Sequence, residues 1–403
     1  MNLKILIALY IISIISLMFN YGFPVFAPLA LVSILFTFLM LNKIGIRKNQ
    51  YCFIALYFFF VVHFLMTGIE LELARSQFIN ATMTFGIMVS TIFWIRKNGL
   101  TQKLVYYVRK SVIFIGFVIS IIGLIKFYLF IDRGVIIQFF ADREIKAYNT
   151  ALINDYNYAA AGVLIGLLFN LFKIKRIEKV KIFDLLYLLV AALYVLFSSS
   201  RRGLLLLIII GVYYLYVLYN TKGNKIFIKP LMTIFLLGIS FIWIPKIANT
   251  ISIEPSDISG KTLARSLSFY EKVTNYQESS RMRVIDESYQ IFKDYNVIQI
   301  IFGGGFSYLE ILGNKSVNEE MYPHNQIVSH ILFSGILGTL LLLMFYYNII
   351  VRYLKSSNYK DIYLALFILI SFSLFSGDTL FYYSPLIMLY LLTTILPKNV
   401  SPS

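Results

Sequence analysis

Long apolar runs, broken by short polar segments, recur along the whole chain. Most runs are about 17 to 25 residues long, the length that a helix needs to cross a hydrocarbon core of roughly 30 Å. The alternation of a membrane barrel is absent, and inside lipid each helix satisfies its own backbone hydrogen bonds. The pattern predicts an all-α, polytopic integral membrane protein.

The breaks between the runs predict about twelve transmembrane helices and one large outer loop. The expected helices are 3–20, 24–41, 51–68, 77–95, 111–130, 152–172, 183–199, 203–219, 227–246, 327–350, 361–376 and 379–396. We divide the chain into helices 1 to 9 in residues 1–247, a large extracytoplasmic loop in 248–326, and helices 10 to 12 in 327–403. The first run is expected to remain in place, because no small-residue cleavage site follows it.

Composition agrees with a membrane protein, since 59% of the 403 residues are hydrophobic and only 14% are charged. Soluble proteins carry roughly a quarter charged residues. The net charge of +16 could indicate nucleic-acid binding. Most Lys and Arg residues, however, fall in alternate loops such as 43–48, 96–110 and 173–181, as the positive-inside rule describes. We therefore expect cytoplasmic termini and no nucleic-acid partner.

The first candidate site is the serine and arginine cluster Ser198–Arg202, at the outer end between two predicted helices. Arg201 and Arg202 could be interfacial anchors, since arginine side chains reach toward headgroups. Most other basic anchors in the chain are predicted on the inner side. Guanidinium groups also suit bidentate phosphate binding, so the cluster could bind a phosphorylated lipid.

The second candidate lies in the large loop, where helical spacing of apolar residues predicts an amphipathic helix starting near Ser280. Arg281 is expected on the side of Ile285, Ser288 and Phe292. Arg283 is expected on the polar, solvated face. Arg281 also falls in the first helical turn, where free amides favour an anion, and is therefore the stronger candidate.

The third candidate is His324, followed by Asn325, at the end of the large loop. Its imidazole could accept a proton from a sugar hydroxyl at neutral pH. We interpret His63 and His330, which fall in predicted helices, as structural. The sequence has no metal-ligand cluster and no nucleotide-binding glycine loop, and its one cysteine, Cys52, allows no disulfide. No cofactor is expected.

Together these segments resemble the O-antigen ligase and polymerase superfamily of bacterial surface-polysaccharide assembly. The resemblance rests on motifs in a fixed order: Asn154–Ala159, Ser200-Arg201 before a leucine-rich helix, Ser280-Arg281, Gly303–Phe306, and His324-Asn325 followed by Ser334–Gly338. It covers about residues 140–345. The doubled arginine, Arg201 and Arg202, departs from the simplest family pattern.

The resemblance implies a multi-pass protein of the bacterial inner (cytoplasmic) membrane. Its donor would be an oligosaccharide on undecaprenyl pyrophosphate, in the periplasmic leaflet. Arg201 and Arg281 would bind the pyrophosphate, and His324 would activate or position the acceptor hydroxyl. The further candidates for substrate binding are Arg202, Asn325, Asn157 and Arg143.

The resemblance leaves the acceptor open. A polymerase, which we favour, uses a second lipid-linked repeat unit and makes O-antigen or capsular polysaccharide; a ligase uses the lipid A core of lipopolysaccharide. Partners would be membrane lipid, a chain-length regulator and a flippase.

In another class, the chain itself could be a lipid-linked oligosaccharide flippase, but such transporters usually carry charged groups near the midplane and inverted repeats. A polyprenyl-phosphate-sugar transferase would be expected to have acids in the first outer loop, and a purely structural scaffold is the remaining alternative.

Overall fold

The computed structural model describes residues 7–8, 11, 48–72, 74–75, 78–79, 82, 86, 95, 98–133, 156–177, 181–198, 200–220, 280–315, 323, 325–355, 359–376 and 392–393. Every regular element among these residues is helical, which confirms the all-α prediction for this part of the chain. In chain order the helices are α1 (Lys48–His63) with a π-helix at Phe64–Gly68, α2 (Thr101–Arg133), α3 (Tyr156–Ile177), α4 (Ile182–Phe197), α5 (Arg201–Asn220), α6 (Ser280–Lys293), α7 (Val297–Phe302), α8 (Ser307–Lys315), α9 (Gln326–Lys355) and α10 (Lys360–Ser376).

Several of these helices coincide with predicted membrane spans. Three described segments are long and apolar enough to cross a bilayer, namely Tyr51–Gly68, Thr101–Ile125 and Gln326–Leu354. Shorter apolar helices occupy Ile182–Val195 and Arg202–Tyr214. These findings indicate a membrane protein. The predicted helices at 3–20, 24–41, 77–95, 227–246 and 379–396, and most of the large loop before Ser280, lie largely or wholly outside the described residues.

The chain divides into two compact units. The first contains residues 1–17, 21–108 and 278–403, and the second contains 18–20 and 109–277. The first unit holds α1 and α6 to α10. The second holds α3, α4, α5 and most of α2.

In the first unit, α9 is bent back on itself at Gly335, where φ is 64° and ψ is −164°. The Tyr346 hydroxyl donates a hydrogen bond to Oε1 of Gln326. In one straight helix these residues would be about 30 Å apart, at 1.5 Å per residue, so the two legs, 326–334 and 336–355, must fold back toward each other. The sequence predicts a single span at 327–350. The leg after Gly335 is the part long enough to cross the membrane in a straight line.

The bend in α9 is stabilised by the glycine loop, Gly303–Gly305, between α7 and α8. The N–H groups of Gly304 and Gly305 donate to the carbonyl oxygens of Leu332 and Phe333, at 2.8 and 3.0 Å. These carbonyls end the first leg of α9, where the bend removes their usual helical donors. A Cβ at position 303 would overlap the Phe333 carbonyl, so glycine is required for this close approach.

The end of α1 holds the other side of the glycine loop. Nε2–H of His63 donates to the Phe302 carbonyl at 2.8 Å. The Thr67 hydroxyl donates to the His63 carbonyl at 2.9 Å and accepts from the backbone N–H of Phe306 at 2.9 Å. The ring of Phe306 packs edge-on against Phe333, with ring centroids 5.1 Å apart. His63 is therefore a structural residue, as its position in the sequence indicated.

In the second unit, α2, α3 and α4 pack closely around Tyr187. Its buried hydroxyl donates to the carbonyl oxygen of Val163 at 3.1 Å. A Cβ at Gly116 or at Gly166 would overlap this hydroxyl. Because glycine has no side chain at these two positions, α2 and α3 leave room for the Tyr187 side chain between them.

A buried acid, Asp184, connects α4 to α3 and α5. The carboxylate of Asp184 is fully buried and pairs with Nζ of Lys173 at 2.8 Å. It also accepts from the backbone N–H of Lys181 at 2.9 Å, and the Tyr214 hydroxyl donates to the Asp184 carbonyl at 3.1 Å. A buried carboxylate is tolerated when it is paired and hydrogen-bonded in this way. The network fixes α3, α4 and α5 against one another.

Candidate functional site

The first candidate segment is the start of α5, in the second unit, which Ser200 caps. The Ser200 side-chain oxygen accepts from the backbone N–H of Gly203 at 3.1 Å, and its carbonyl accepts from Leu204 at 2.9 Å. Arg201 and Arg202 are the first two residues of the helix. Backbone N–H groups in a first helical turn have no helical acceptor, and the helix dipole favours an anion there. The local structure therefore puts two arginines in the first turn of a capped helix.

Asn157, in the first turn of α3, fixes the serine cap. The Ser200 hydroxyl donates to Oδ1 of Asn157 at 2.9 Å. The backbone N–H of Ser200 donates to the side-chain oxygen of Ser198 at 3.3 Å. All three side chains are buried. The sequence analysis singled out Asn157 and the Ser-Arg pair separately, and the structure brings Asn157 into contact with the serine of that pair.

Close packing also holds the start of α5 in place. A Cβ at Gly203 would lie 2.9 Å from both the Ala160 side chain on α3 and the Ser200 side-chain oxygen. The side chain of Arg202 is half-buried, whereas that of Arg201 lies outside the described part of the chain. The start of α5 is thus fixed by its contact with α3 and by the buried hydrogen bonds of Ser200.

The second candidate segment, which belongs to the first unit, is the start of α6. The predicted amphipathic helix is confirmed at Ser280–Lys293, with Arg281 as its second residue. Its buried stripe consists of Val284, Ser288 and Ile291, and Arg283 is exposed as predicted. The side chain of Arg281 is not among those that the structure describes.

The buried stripe of α6 differs in detail from the predicted one. Ile285 and Phe292, which the sequence placed on the inward side, are only half-buried. Tyr289, part of the predicted apolar spacing, is 56% exposed, and Nζ of Lys293 lies 4.5 Å from its ring centroid. The stripe is rotated by a fraction of a turn because it packs beside α8 and α9 in the same unit.

The third candidate segment, also in the first unit, is the start of α9. Asn325 caps this helix, since its Oδ1 accepts from the backbone N–H groups of Ile327 and Val328 at 3.0 and 3.3 Å. One oxygen of this predicted substrate-binding residue therefore has a structural role. His324 and Arg143 both lie outside the described residues.

Polar residues that the sequence analysis did not propose as site residues line the first leg of α9. Gln326, Ser329 and His330 are all buried. Nδ1 of His330 lies 3.5 Å from the Ser334 hydroxyl, which supports its interpretation as structural. Nε2 of Gln326 and the Ser329 hydroxyl have no hydrogen-bond partner among the described residues. The sequence did not indicate that these three residues are buried together. Their burial depends on the bend of α9 at Gly335, which the apolar pattern does not show.

Tyr295 connects the large loop to this leg of α9. Its hydroxyl donates to the Leu332 carbonyl at 3.0 Å. Burial raises the pKa of Tyr295 above that of an ordinary phenol, and a backbone hydrogen bond to Gly304 acts in the opposite direction. The hydroxyl therefore remains protonated at neutral pH and can serve as a hydrogen-bond donor.

The described residues contain no group of three His, Cys, Asp or Glu side chains placed to hold a metal ion. The described residues do offer two helix starts that carry arginine in the first turn, and the one at α5 is capped by Ser200. Such groups bind anionic oxygens and stabilise negative charge that develops on a leaving group.

Residues 186–343 match the family model described as O-Antigen ligase. The match confirms the resemblance to the O-antigen ligase and polymerase superfamily, whose members are glycosyltransferase-like enzymes. The matched range contains both Ser-Arg helix starts, the glycine loop and the His324-Asn325 pair. No curated protein and no solved structure matches the chain.

Proposed function

We propose that this protein polymerises undecaprenyl-pyrophosphate-linked oligosaccharide repeat units into O-antigen or capsular polysaccharide. It would act at the periplasmic face of the bacterial inner membrane, with about twelve helices and both termini in the cytoplasm. The observation that carries the proposal is the family match, because the matched range includes every motif to which we assign the chemistry except Asn157 and Arg143. Those two candidates precede it in the chain.

Arg201 and Arg281 are proposed to bind phosphate oxygens of the donor. Each is at the start of a helix longer than ten residues, where the dipole adds to the positive charge of the guanidinium. Bond cleavage at the sugar leaves undecaprenyl pyrophosphate, so negative charge grows on the group that these arginines hold. Arg202 and Arg143 are proposed as further contacts to the donor. The proposed reaction is metal-independent, with charge supplied by guanidinium groups.

His324 is proposed to accept the proton of the acceptor hydroxyl as that oxygen attacks the sugar carbon. Asn325, next to it, begins α9 and has its carboxamide oxygen bonded to the helix, which leaves its amide nitrogen as the group that would reach a sugar. Asn157 would act through Ser200, by holding the start of α5.

A ligase is the second candidate, because the matched family is described by that activity. It would use the same donor and would transfer the glycan to lipid A core. The donor contacts proposed above are the same for both reactions, so the acceptor is what distinguishes them.

The test is a deletion of the gene in its host, followed by gel analysis of the surface polysaccharide. A polymerase predicts core with a single repeat unit in the deletion strain and a restored ladder with the wild-type gene. Complementation with Arg281→Ala or His324→Ala is expected to leave the single unit in place. Arg283→Ala, an exposed arginine two residues away, is the matched control and is expected to restore the ladder.

Three other results would contradict the proposal in whole or in part. Bare core together with long lipid-linked polymer would identify the ligase instead. An unchanged ladder in a strain that encodes no second polymerase would exclude both enzymes. Full complementation by both Arg281→Ala and His324→Ala would reject the site assignment while leaving the enzyme class intact.

A further inference from the structure

The short helix α7, within the predicted large extracytoplasmic loop, has apolar side chains on the surface of the protein. Val297 and Ile298 are 72% and 70% exposed, Ile301 and Phe302 are also exposed, and no residue of the helix is buried. Contiguous apolar surface is uncommon on parts of a protein that face water. Residues 295–309 also contain no Asp, Glu, Lys or Arg. The segment has the composition of a membrane-embedded element.

Hydrogen bonds place the end of α7 below the end of a candidate span. The Phe302 carbonyl accepts from His63 at 2.8 Å. His63 lies five residues before Gly68, the last residue of the candidate span Tyr51–Gly68. At 1.5 Å per residue this is about 7 Å along the helix. The C-terminal end of α7 is therefore level with a point inside the span.

The exposed side of α7 adjoins apolar surface on the crossing leg of α9. Gly335 lies against the end of α7, because a Cβ there would overlap the Ile301 carbonyl. The next residues of this leg, Ile336 and Leu337, are exposed, as is Leu340 one turn further. An apolar face on a membrane-crossing helix is expected to contact lipid. Exposed apolar side chains are thus present on both helices next to the point where they meet.

The backbone of α7 also meets the requirement that lipid imposes. The side chain of Asn296 accepts from the N–H of Gln299 at 2.9 Å, and the side chain of Gln299 accepts from the N–H of Asn296 at 3.1 Å. At the other end, the N–H of Gly303 donates to the Gln299 carbonyl at 2.7 Å. Backbone groups at hydrocarbon depth must be satisfied within the protein. Each end of this short helix therefore has backbone groups that bond within the protein.

We infer that α7 is embedded in the hydrocarbon layer, in the leaflet where the span Tyr51–Gly68 ends, with its exposed face against lipid acyl chains. Under the proposed orientation this is the outer leaflet. The inference goes beyond the proposed function and does not depend on it. It divides the large loop into a water-facing helix, α6, and a lipid-facing anchor, α7.

The inference is tested by the reactivity of single cysteines in the full-length protein. Cys52, the only cysteine in the chain, is replaced by alanine. Ile298→Cys in α7 is then compared with Gln290→Cys, at an exposed position on α6. In open membrane fragments an aqueous maleimide is expected to label Gln290→Cys at least about tenfold faster, because thiols in lipid are not ionised. Equal labelling of both in SDS confirms that each cysteine is intact.

A second readout distinguishes lipid from protein as the cover of α7. A fluorophore on each cysteine is placed in vesicles whose acyl chains carry nitroxide quenchers. Fluorescence from position 298 is expected to fall severalfold, and fluorescence from position 290 is expected to stay nearly constant. Rapid maleimide labelling at 298 would overturn the inference by showing that water reaches α7. Slow labelling without lipid quenching would overturn it in favour of a second copy or another segment of this chain. Neither readout requires enzyme activity.

Discussion

Two helices of this protein carry the same pair of residues, Ser-Arg, at their starts, yet the helices differ. At α5 the serine is buried and bonded to Asn157, and Gly203 packs against α3. The helix α6 is amphipathic, and its exposed face includes Arg283. A short sequence motif therefore predicts a helix start and its arginine, whereas the rest of the helix sequence determines how that helix packs.

The largest effect is expected from substitution of Arg281, in the first turn of the amphipathic helix α6. Loss of one group that stabilises a developing anion lowers turnover by about 100- to 1,000-fold. Arg281→Ala should therefore lose most activity in an assay with purified enzyme and lipid-linked oligosaccharide. Arg281→Lys should recover part of it, since the charge remains but bidentate geometry is lost. Equal activity of the alanine variant and the wild type would remove Arg281 from the site.

The next largest effect is expected at Gly203, in the buried start of α5. An added methyl would lie 2.9 Å from Ala160 and from the Ser200 oxygen, and overpacking of this kind costs about 1 to 3 kcal/mol. Gly203→Ala should lower the thermal unfolding midpoint and reduce activity. Ala substituted for Gln290, on the exposed side of α6, is the control and should change neither. An unchanged midpoint for Gly203→Ala would show that α3 and α5 are not tightly packed there.

A smaller effect is expected from Ser200→Ala. The change removes the side-chain cap and leaves Oδ1 of Asn157 without its serine donor, and loss of such a cap typically costs about 1 kcal/mol. Ser200→Thr keeps the hydroxyl and should restore most of the stability. Measurement of both unfolding and substrate affinity separates the two roles: a cap that positions Arg201 predicts weaker donor binding as well as a lower midpoint. A change in the midpoint alone would limit Ser200 to a structural role.

The smallest effect is expected at Arg283, which faces away from the buried stripe of α6. Surface substitutions of this kind usually change the folding equilibrium constant by less than about threefold. Arg283→Ala should match the wild type in turnover and in donor affinity, measured in the same assay. A loss comparable to that of Arg281→Ala would place the binding face of α6 on the opposite side.

The sequence could predict the parts of this fold that depend on local pattern. Apolar runs located α1, α4, α5 and α10, because a crossing helix needs a continuous apolar segment. Helical spacing located α6 and placed Arg283 on its exposed face. Both signals come from neighbouring residues, so one sequence is sufficient to show them.

Features that depend on distant contacts could not be predicted. The run 327–350 gave no indication of the bend at Gly335, because hydropathy is insensitive to a positive φ angle. Asn157 and Ser200 were separate features until the fold joined them across 43 positions. The apolar stretch 297–302 is too short to indicate a membrane helix by itself, and the inference about its depth depends on its bond to His63, which lies far away in the sequence.

The hydrogen bond between His63 and Phe302 has a consequence for the order in which the protein is made. The two residues are 239 positions apart. At a synthesis rate of about 5 to 20 residues per second, α1 is complete roughly 10 to 50 s before its partner leaves the ribosome. During that interval the imidazole of His63 and its aromatic neighbours have no glycine loop to bind. Assembly of the first unit therefore waits for the C-terminal third of the chain, and a truncated product would contain α1 without the loop that completes its packing.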